Sequence, residues 1–364
     1  MNDPRSPSMP NAAPPITWPG DEGYQLPAEW DAQSAVWLSW PHNEDTWPDC
    51  RQQALSEYAD LVATLTRYQT TCLIVPNHET QEMAQSLLAT RPGKPENLRF
   101  FIFPTDDAWC RDHGPIFLRH RQKGDLALTD WEYNGWGNKF ASSRDNAIPR
   151  QVAEALHLPC YDLPYVLEGG SLETDGQGTL LTTTSCLLNP NRNPACSRDD
   201  LEMILKRGLG ISSIWWLGDG ILGDDTDGHI DDITRFGPHG IILTAREEDP
   251  ADENYLPLEE NYRQLQKYVA NDVVTREILT LPMPDPLFHK NRRLPASYAN
   301  YLVINGAVLL PVFDQPAKDR QAAEILGKAF PDRTILPLPS TFLIRESGSF
   351  HCLTQQQPAP LNPS

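Results

Sequence analysis

The stretch SGSFHCLTQQQP, Ser347 to Pro358, places a thiol, Cys352, directly after an imidazole, His351. A cysteine becomes a nucleophile only when something takes its proton. FLIRESGSFHCL reads as a strand, a Gly/Ser turn and a second extended piece. Neighbouring side chains of a strand point to opposite faces, so His351 and Cys352 are expected to face apart. The base for Cys352 must then come from elsewhere in the chain.

GDDTDGHIDDITRF, Gly223 to Phe236, sets Asp224, Asp225, Asp227, Asp231 and Asp232 around one histidine, His229. A calcium loop would need a 12-residue frame from Asp to Glu, which is missing. Read as a strand, HID puts His229 and Asp231 on one face, turns Ile230 to the core and points Asp232 away. TDDAWCRDHGP, Thr105 to Pro115, crowds Asp107, Trp109, Arg111 and Asp112 into one turn. One reading is a solvated turn whose Arg111 pairs with a nearby aspartate. The other aims Asp112 or Asp107 into a cleft walled by Trp109. In VLEGGSLETDGQGTLLTT, Val166 to Thr184, Glu168 ends an apolar run beside two glycines that permit close backbone approach. A hairpin with an incidental glutamate fits the same letters.

A cysteine, a histidine and several carboxylates from distant loops make a nucleophilic site. Multiple acids imply a positively charged electrophile. A guanidinium suits them, because carboxylates bind its nitrogens in pairs, an aromatic face stacks on its plane and a thiolate attacks its carbon. Zinc is the rival, since Cys, His and Asp are its ligands, but no short C-x-x-C or H-x-x-x-H spacing supports it.

Amphipathic and apolar segments alternate along the chain and supply the positioning elements. QQALSEYADLVATLTRYQ, ETQEMAQSLLATR, IPRQVAEALHL, RDDLEMILKRGLG, EENYRQLQKYVA and AKDRQAAEILGKAF read as helices. Gly210 is the C-cap signal of the fourth. TCLIVP, LRFFIFP, YVLEGGSLET, GTLLTTTSCLL, SSIWWL and EILTLP read as strands. DITRF-GPHG-IILTA and NYLVI-NG-AVLLPVF read as hairpins. This predicts an α/β protein, with one catalytic domain over residues 21–364 behind a Pro-rich, flexible arm over 1–20. The polar clusters near His42, Asp112, Glu168 and His229 recur at steps of roughly 60 residues, and Cys352 follows at about twice that step.

Acidic residues outnumber basic ones 49 to 30, giving a net charge of -19, which argues against nucleic acid and anionic membranes as partners. Seven scattered cysteines without a C-x-x-C pair suit a reducing cytoplasm. No apolar run is long enough to span a bilayer.

LPAEWDAQSAVWLSWPHNEDTW, DDAWCRDHGPIFL, DWEYNGWGNKF, LEGGSLETDGQGTLLTTTSCLLNPNRNP, DDTDGHIDDITRF and FHCLTQQQP, in this order, resemble the agmatine deiminase family of the guanidine-modifying superfamily. The resemblance covers nearly all of the chain beyond the arm. It implies a five-bladed, pseudo-symmetric α/β propeller of ββαβ modules, pentein-like in plan. It implies Cys352 as nucleophile, His229 as general acid and base, and Glu168 as its orienting partner. Asp112 and Asp231 would grip a guanidinium, Asp225 would contact substrate, and Trp109 would wall the pocket. The implied reaction converts agmatine to N-carbamoylputrescine and ammonia without metal or organic cofactor. Deimination of free or peptidyl arginine and amidino transfer are the alternatives, and a homo-oligomer stays open. The family usually carries GGGNIHC where RESGSFHC stands here, and His where Glu173 stands. Ser347, Ser349 and Glu173 are thus expected to reshape the far end of the pocket.

Overall fold

A computed structural model describes residues 16–361 of the chain. Most of its strands belong to one recurring unit. In each unit an antiparallel pair leads through a helix to a third strand lying parallel to the second. Ile116–His120, Leu126–Glu132 and Cys160–Val166 make one such unit around helix Ile148–Leu156. Glu173–Thr174, Thr179–Thr183 and Ser213–Leu217 make the next around Arg198–Leu209. Thr234–Phe236, Ile241–Arg246 and Glu277–Pro282 follow with Tyr255–Asn271. Leu302–Ile304, Ala307–Val312 and Thr334–Pro339 follow with Pro316–Ala329. The last unit is split between the chain ends. Its first strand, Thr354–Pro358, pairs antiparallel with Gln33–Ser39, which runs on through Arg51–Thr66 to Thr70–Val75. These five units, among the described residues, are the ββαβ modules of the expected α/β fold.

The sequence patterns explain the elements. Thr70–Val75 is apolar on both faces because Arg51–Thr66 covers one side and the neighbouring units the other. Leu61, Leu65, Leu73 and Val75 are fully enclosed in one cluster, and each buried side chain of this kind is worth about 2 kcal/mol. Gly210 ends its helix at φ 65°, as its type predicted. Both expected hairpins form, with Phe236 opposite Ile242 and Ile304 opposite Ala307.

Other expectations are corrected. YVLEGGSLET is not one strand: Cys160–Val166 stops short of Glu168, and Gly169–Ser171 makes a 3-10 turn. HID is not a strand, because Ile230–Asp232 also forms a 3-10 turn. FLIRESGSFHCL is not strand, turn and strand. Leu343–Glu346 is a 3-10 turn, Ser347 takes φ 70°, and the Leu353 N–H closes a further turn on Ser349 O (3.1 Å). In all three places short-range backbone bonding before a strand outcompetes extension. The expected arm lies outside the described residues except for 16–20. Those five are not free: Trp18 is buried, stacks on Tyr165 with centroids 6.2 Å apart, and carries the Arg207 guanidinium over its ring. Its aromatic area drives that packing. No helix among the described residues is long and apolar enough to cross a membrane.

One buried carboxylate fixes the segment that leads to Cys352. Glu57, on Arg51–Thr66, accepts from the N–H of Thr341 (3.1 Å) with one oxygen. The other oxygen accepts from the N–H groups of Phe342 (3.0 Å) and Leu343 (2.9 Å). Burial pushes its carboxyl up. Glu57→Ala strands these donors and is expected to cost about 3 kcal/mol of stability in a urea titration. Glu57→Gln keeps one acceptor and should cost about half as much.

Candidate active site

Each of the five modules ends its lead-in with a tight turn just before its first strand, and each turn carries one polar residue to a common centre. Asp112 sits on the turn Cys110–His113 before Ile116–His120. Glu168 precedes Glu173–Thr174, and Asp231 precedes Thr234–Phe236. Asn300 precedes Leu302–Ile304, and Cys352 precedes Thr354–Pro358. All five side chains are buried.

The contacts knit these turns together. Asp112 accepts from the Gly170 N–H (2.9 Å) with one oxygen and from Trp136 Nε1 (3.0 Å) with the other. His229 lies between two acids, with Nδ1 3.6 Å from Asp112 and Nε2 3.9 Å from Glu168. Neither ring nitrogen has a hydrogen-bond partner, and nor does Asp231 Oδ1. Such buried, unpaired groups are costly unless a ligand completes them. Glu168 is held by Arg192 Nε (2.7 Å), which also reaches Asp227 and Thr226 O (2.9 Å). The Cys352 sulfur lies 3.0 Å from Asn300 Nδ2 and 3.7 Å from Asp231 Oδ2.

His351 does not meet Cys352 as a base. Its Nδ1 lies 2.6 Å from Asp231 and its Nε2 3.0 Å from Glu29, which in turn pairs with the buried Arg235. The expected separation of His351 from the nucleophile therefore arises from a turn, with both side chains leaning on the same aspartate. Arg111 does not pair with an aspartate either. It donates to His351 O (3.2 Å), Gln355 (2.8 Å) and Gln356 (2.6 Å), while its N–H binds Cys352 O (3.1 Å). The glutamine run is thus a clamp on Arg111, with Gln357 taken by Trp37 Nε1 (2.9 Å).

A cavity of about 150 Å3 opens onto Cys352 and Asp112, walled by Trp109, Trp136 and Phe140. Asp45, Asp107, Asp225 and Glu346 stand around it. Asp225 is at the exposed mouth, bound to Arg292 (3.1 Å) and to the Ser347 hydroxyl (3.0 Å). Of the three departures, only Ser347 lines the cavity. Ser349 is buried against the Ser340 hydroxyl (2.7 Å), and Glu173 holds Arg235 (2.7 Å) and the Phe236 N–H (2.9 Å). His42 bonds Thr105 and stays outside the lining.

The sequence brought forward Cys352, His229, Glu168, Asp112, Asp231 and Trp109, and the fold collects them. Asp232 departs from its expected outward face: it is buried and accepts from Asn300 Nδ2 (3.0 Å), because a 3-10 turn does not alternate sides. Asn300, Trp136 and Arg192 were not singled out. Asn300 lies roughly midway between His229 and Cys352, where the doubled step left a gap. Trp136 and Arg192 lie in DWEYNGWGNKF and NPNRNP. Two buried trios, Glu168–Cys186–His229 and Asp231–Asp232–Cys352, bring metal-type ligand atoms within 4.8 Å. Arg192 already neutralises the first and Asn300 donates into the second.

Electrostatics hold several of the site's own groups toward their neutral forms. Burial pulls His229 down to about 3, against the opposing pull of Asp231, so the ring is neutral. Burial, then Asp231 and Glu168, pushes Asp112 well up. Burial also opposes ionisation of Asp231, but the hydrogen bond and charge of His351 bring it below the usual range. Burial, then Asp231, Asp232 and Asp112, drives the Cys352 thiol well above its ordinary value. A bound cation would oppose the upward shifts of Asp112 and Cys352 by favouring their anionic forms, and would add to the downward shifts of Asp231 and His229.

Two outcomes follow. Because the thiol is shifted upward, thiolate is scarce at neutral pH and grows as pH rises. Iodoacetamide labelling of Cys352 in the free protein should climb steadily from pH 6 to 9, and a plateau near pH 7 would contradict the geometry. Gly170 approaches so closely that an added Cβ would lie 2.4 Å from His229 Nδ1 and 2.7 Å from Asp112 Oδ1. Gly170→Ala should therefore cut kcat about 100-fold by displacing these groups, with a small change in melting temperature.

Known proteins resemble the chain along nearly its whole length. The family model for Porphyromonas-type peptidyl-arginine deiminase matches residues 25–358. An agmatine deiminase of Pseudomonas aeruginosa is 34% identical over 95% of this chain and 98% of its own length. A substrate-bound Cys-to-Ser variant of the C. jejuni agmatine deiminase superposes with TM-score 0.85 at 33% identity, covering 93% of this chain and 97% of that one. The Enterococcus faecalis agmatine deiminase gives TM-score 0.87 at 28% identity, covering 95% and 98%. With about a third of its residues shared along nearly the whole length and the same overall fold, the chain belongs to the agmatine deiminase family within the Porphyromonas-type peptidyl-arginine deiminases.

Proposed function

We propose that the protein hydrolyses the guanidino group of agmatine to N-carbamoylputrescine and ammonia through an amidino-cysteine intermediate on Cys352. The observation that carries this reading is an aromatic-walled cavity lined by the Cys352 thiol and the buried Asp112, with the neutral imidazole of His229 3.6 Å behind Asp112 and the buried Asp231 3.7 Å from the sulfur. Asp112 and Asp231 flank the guanidinium and fix its plane, and Trp109 covers one side. The cation stabilises a thiolate that the empty site disfavours, and the thiol proton passes to His229. The sulfur attacks the guanidinium carbon, and His229 returns the proton to the departing nitrogen, which leaves as ammonia. His229 then takes a proton from water, which attacks the amidino carbon. The C–S bond breaks, the ureido product leaves, and the thiolate regains its proton. Glu168, anchored by Arg192, orients the imidazole through both steps.

The acids around the mouth favour a substrate with a second cationic end. Asp45, Asp107, Asp225 and Glu346 outnumber Arg292 and Lys139 there, which suits the ammonium of agmatine and repels the α-carboxylate of free arginine. Seven free thiols suit the cytoplasm as the working compartment.

The test is a panel of agmatine, free arginine and a peptide with internal arginine, scored for ureido product and ammonia. Agmatine should react best. A preference for peptide arginine, or amidino transfer to an added amine in place of ammonia release, would reject the assignment. Cys352→Ala should abolish turnover. Asp112→Asn and Asp231→Asn should each lose at least ~3 kcal/mol in kcat/KM, as when one group is cut from a preorganised electrostatic site.

A further inference from the structure

Asn300 fills the fifth position of the ring of pre-strand turns, beside Asp112, Glu168, Asp231 and Cys352. It is fully enclosed. Its turn, Tyr298–Asn300, is pinned by Ser297, whose hydroxyl accepts from the Ala299 N–H (3.1 Å), and by Arg235, which donates to Ala299 O (3.0 Å). The carboxamide can sit only one way round. Its Oδ1 accepts from the N–H groups of His351 (3.1 Å) and Cys352 (3.4 Å). Its Nδ2 faces Asp232 Oδ1 (3.0 Å), Asp231 Oδ2 (3.4 Å) and the Cys352 sulfur (3.0 Å). A flipped amide would turn its oxygen on two carboxylates and a sulfur, and its N–H groups on two other N–H groups.

The sulfur therefore meets a fixed N–H donor in a pocket otherwise hostile to negative charge. Asp231 and Asp232 face it from the turn Ile230–Asp232, and Asp112 faces it from Cys110–His113. Working against them are the Ser349 backbone N–H and Asn300. The same carboxamide fixes the Cys352 backbone, so it sets both where the sulfur points and what charge it can bear.

We propose that Asn300 is a positioning residue for the reaction: it aims the Cys352 sulfur and stabilises its thiolate through an N–H···S bond. This rests on Cys352 being the nucleophile. A hydrogen bond to a charged group of this kind favours ionisation by about one pH unit, or roughly tenfold in thiolate at a pH below the thiol's own midpoint.

The experiment follows iodoacetamide labelling of Cys352 by mass spectrometry from pH 6 to 9 in the wild type, Asn300→Ser and Asn300→Asp. Asp keeps the acceptor oxygen and puts a further acid where the donor stood; Ser shortens the side chain, so that its hydroxyl falls short of the place Nδ2 holds against the sulfur. Both are expected to slow labelling at pH 8 at least about tenfold. With agmatine, kcat should fall far more than KM rises, since the acids that hold the cation remain. Profiles that superpose on the wild type, in variants with unchanged circular dichroism and melting temperature, would overturn the proposal. So would a loss confined to KM. A measurement on the unsubstituted side chain guards against variants that do not fold. In protein labelled with 15N-asparagine, the Asn300 amide resonance should move with pH over the alkaline range, and should stop doing so in Cys352→Ala. A resonance that moves equally in both, or in neither, also overturns it. Labelling needs no turnover, so a wild type inactive on agmatine would reject the function above and leave this test standing.

Discussion

A single buried carboxylate, Asp231, is the constraint on which the rest of the site depends. One of its oxygens meets His351 and lies near both the Cys352 sulfur and Asn300, while the other is unpaired and free for a ligand. A charge so enclosed is tolerated only if partners balance it. The partners form a chain. His351 joins Asp231 to Glu29, Glu29 joins Arg235, and Arg235 joins Glu173 and the carbonyls of Ala299 and Tyr301 (2.8 Å). Breaking such a pair by removing one member costs about 3–5 kcal/mol. The floor of the pocket is accordingly stiff, and the nucleophile is set upon it.

The five-module plan gives this network its economy. Every module turns its chain sharply before the first strand, and the turns meet at one centre. One position in each module then supplies a polar group: the carboxylates of Asp112, Glu168 and Asp231, the amide of Asn300 and the thiol of Cys352. The imidazole of His229 stands two residues before Asp231, at the start of the same turn. Closure matters as much as repetition. Thr354–Pro358 pairs with Gln33–Ser39, so Cys352 is seated by strands from distant parts of the chain. Arg111 then ties the Cys352 turn to the Asp112 turn through its backbone and side chain. The site is also poised electrically. With His229 neutral and Asp112 and the thiol held toward their neutral forms by burial, an arriving cation shifts the balance that makes the thiolate.

Residue chemistry and spacing by themselves determined much of this protein. The alternation of amphipathic and apolar segments set the helices and most strands, because burial of one face is a local pattern. The long motifs named Cys352, His229, Glu168, Asp112, Asp231 and Trp109, because a thiol, an imidazole and clustered acids are informative types in any fold. Other matters were decided only by the tertiary structure. The HIDD and FHC segments are turns, since short-range backbone bonds such as Ile233 N–H to Ile230 O and Leu353 N–H to Ser349 O displace the extended geometry that their letters allow, and this brings Asp232 inward and sets His351 on Asp231. Arg111 and the glutamine run are framework, as are Glu173 and Ser349, because their partners lie far away in sequence. Asn300 is the sharpest case. An asparagine is an ordinary turn residue until the ring of modules closes and places its amide against a sulfur 52 residues further on, a contact between distant segments that no local pattern encodes.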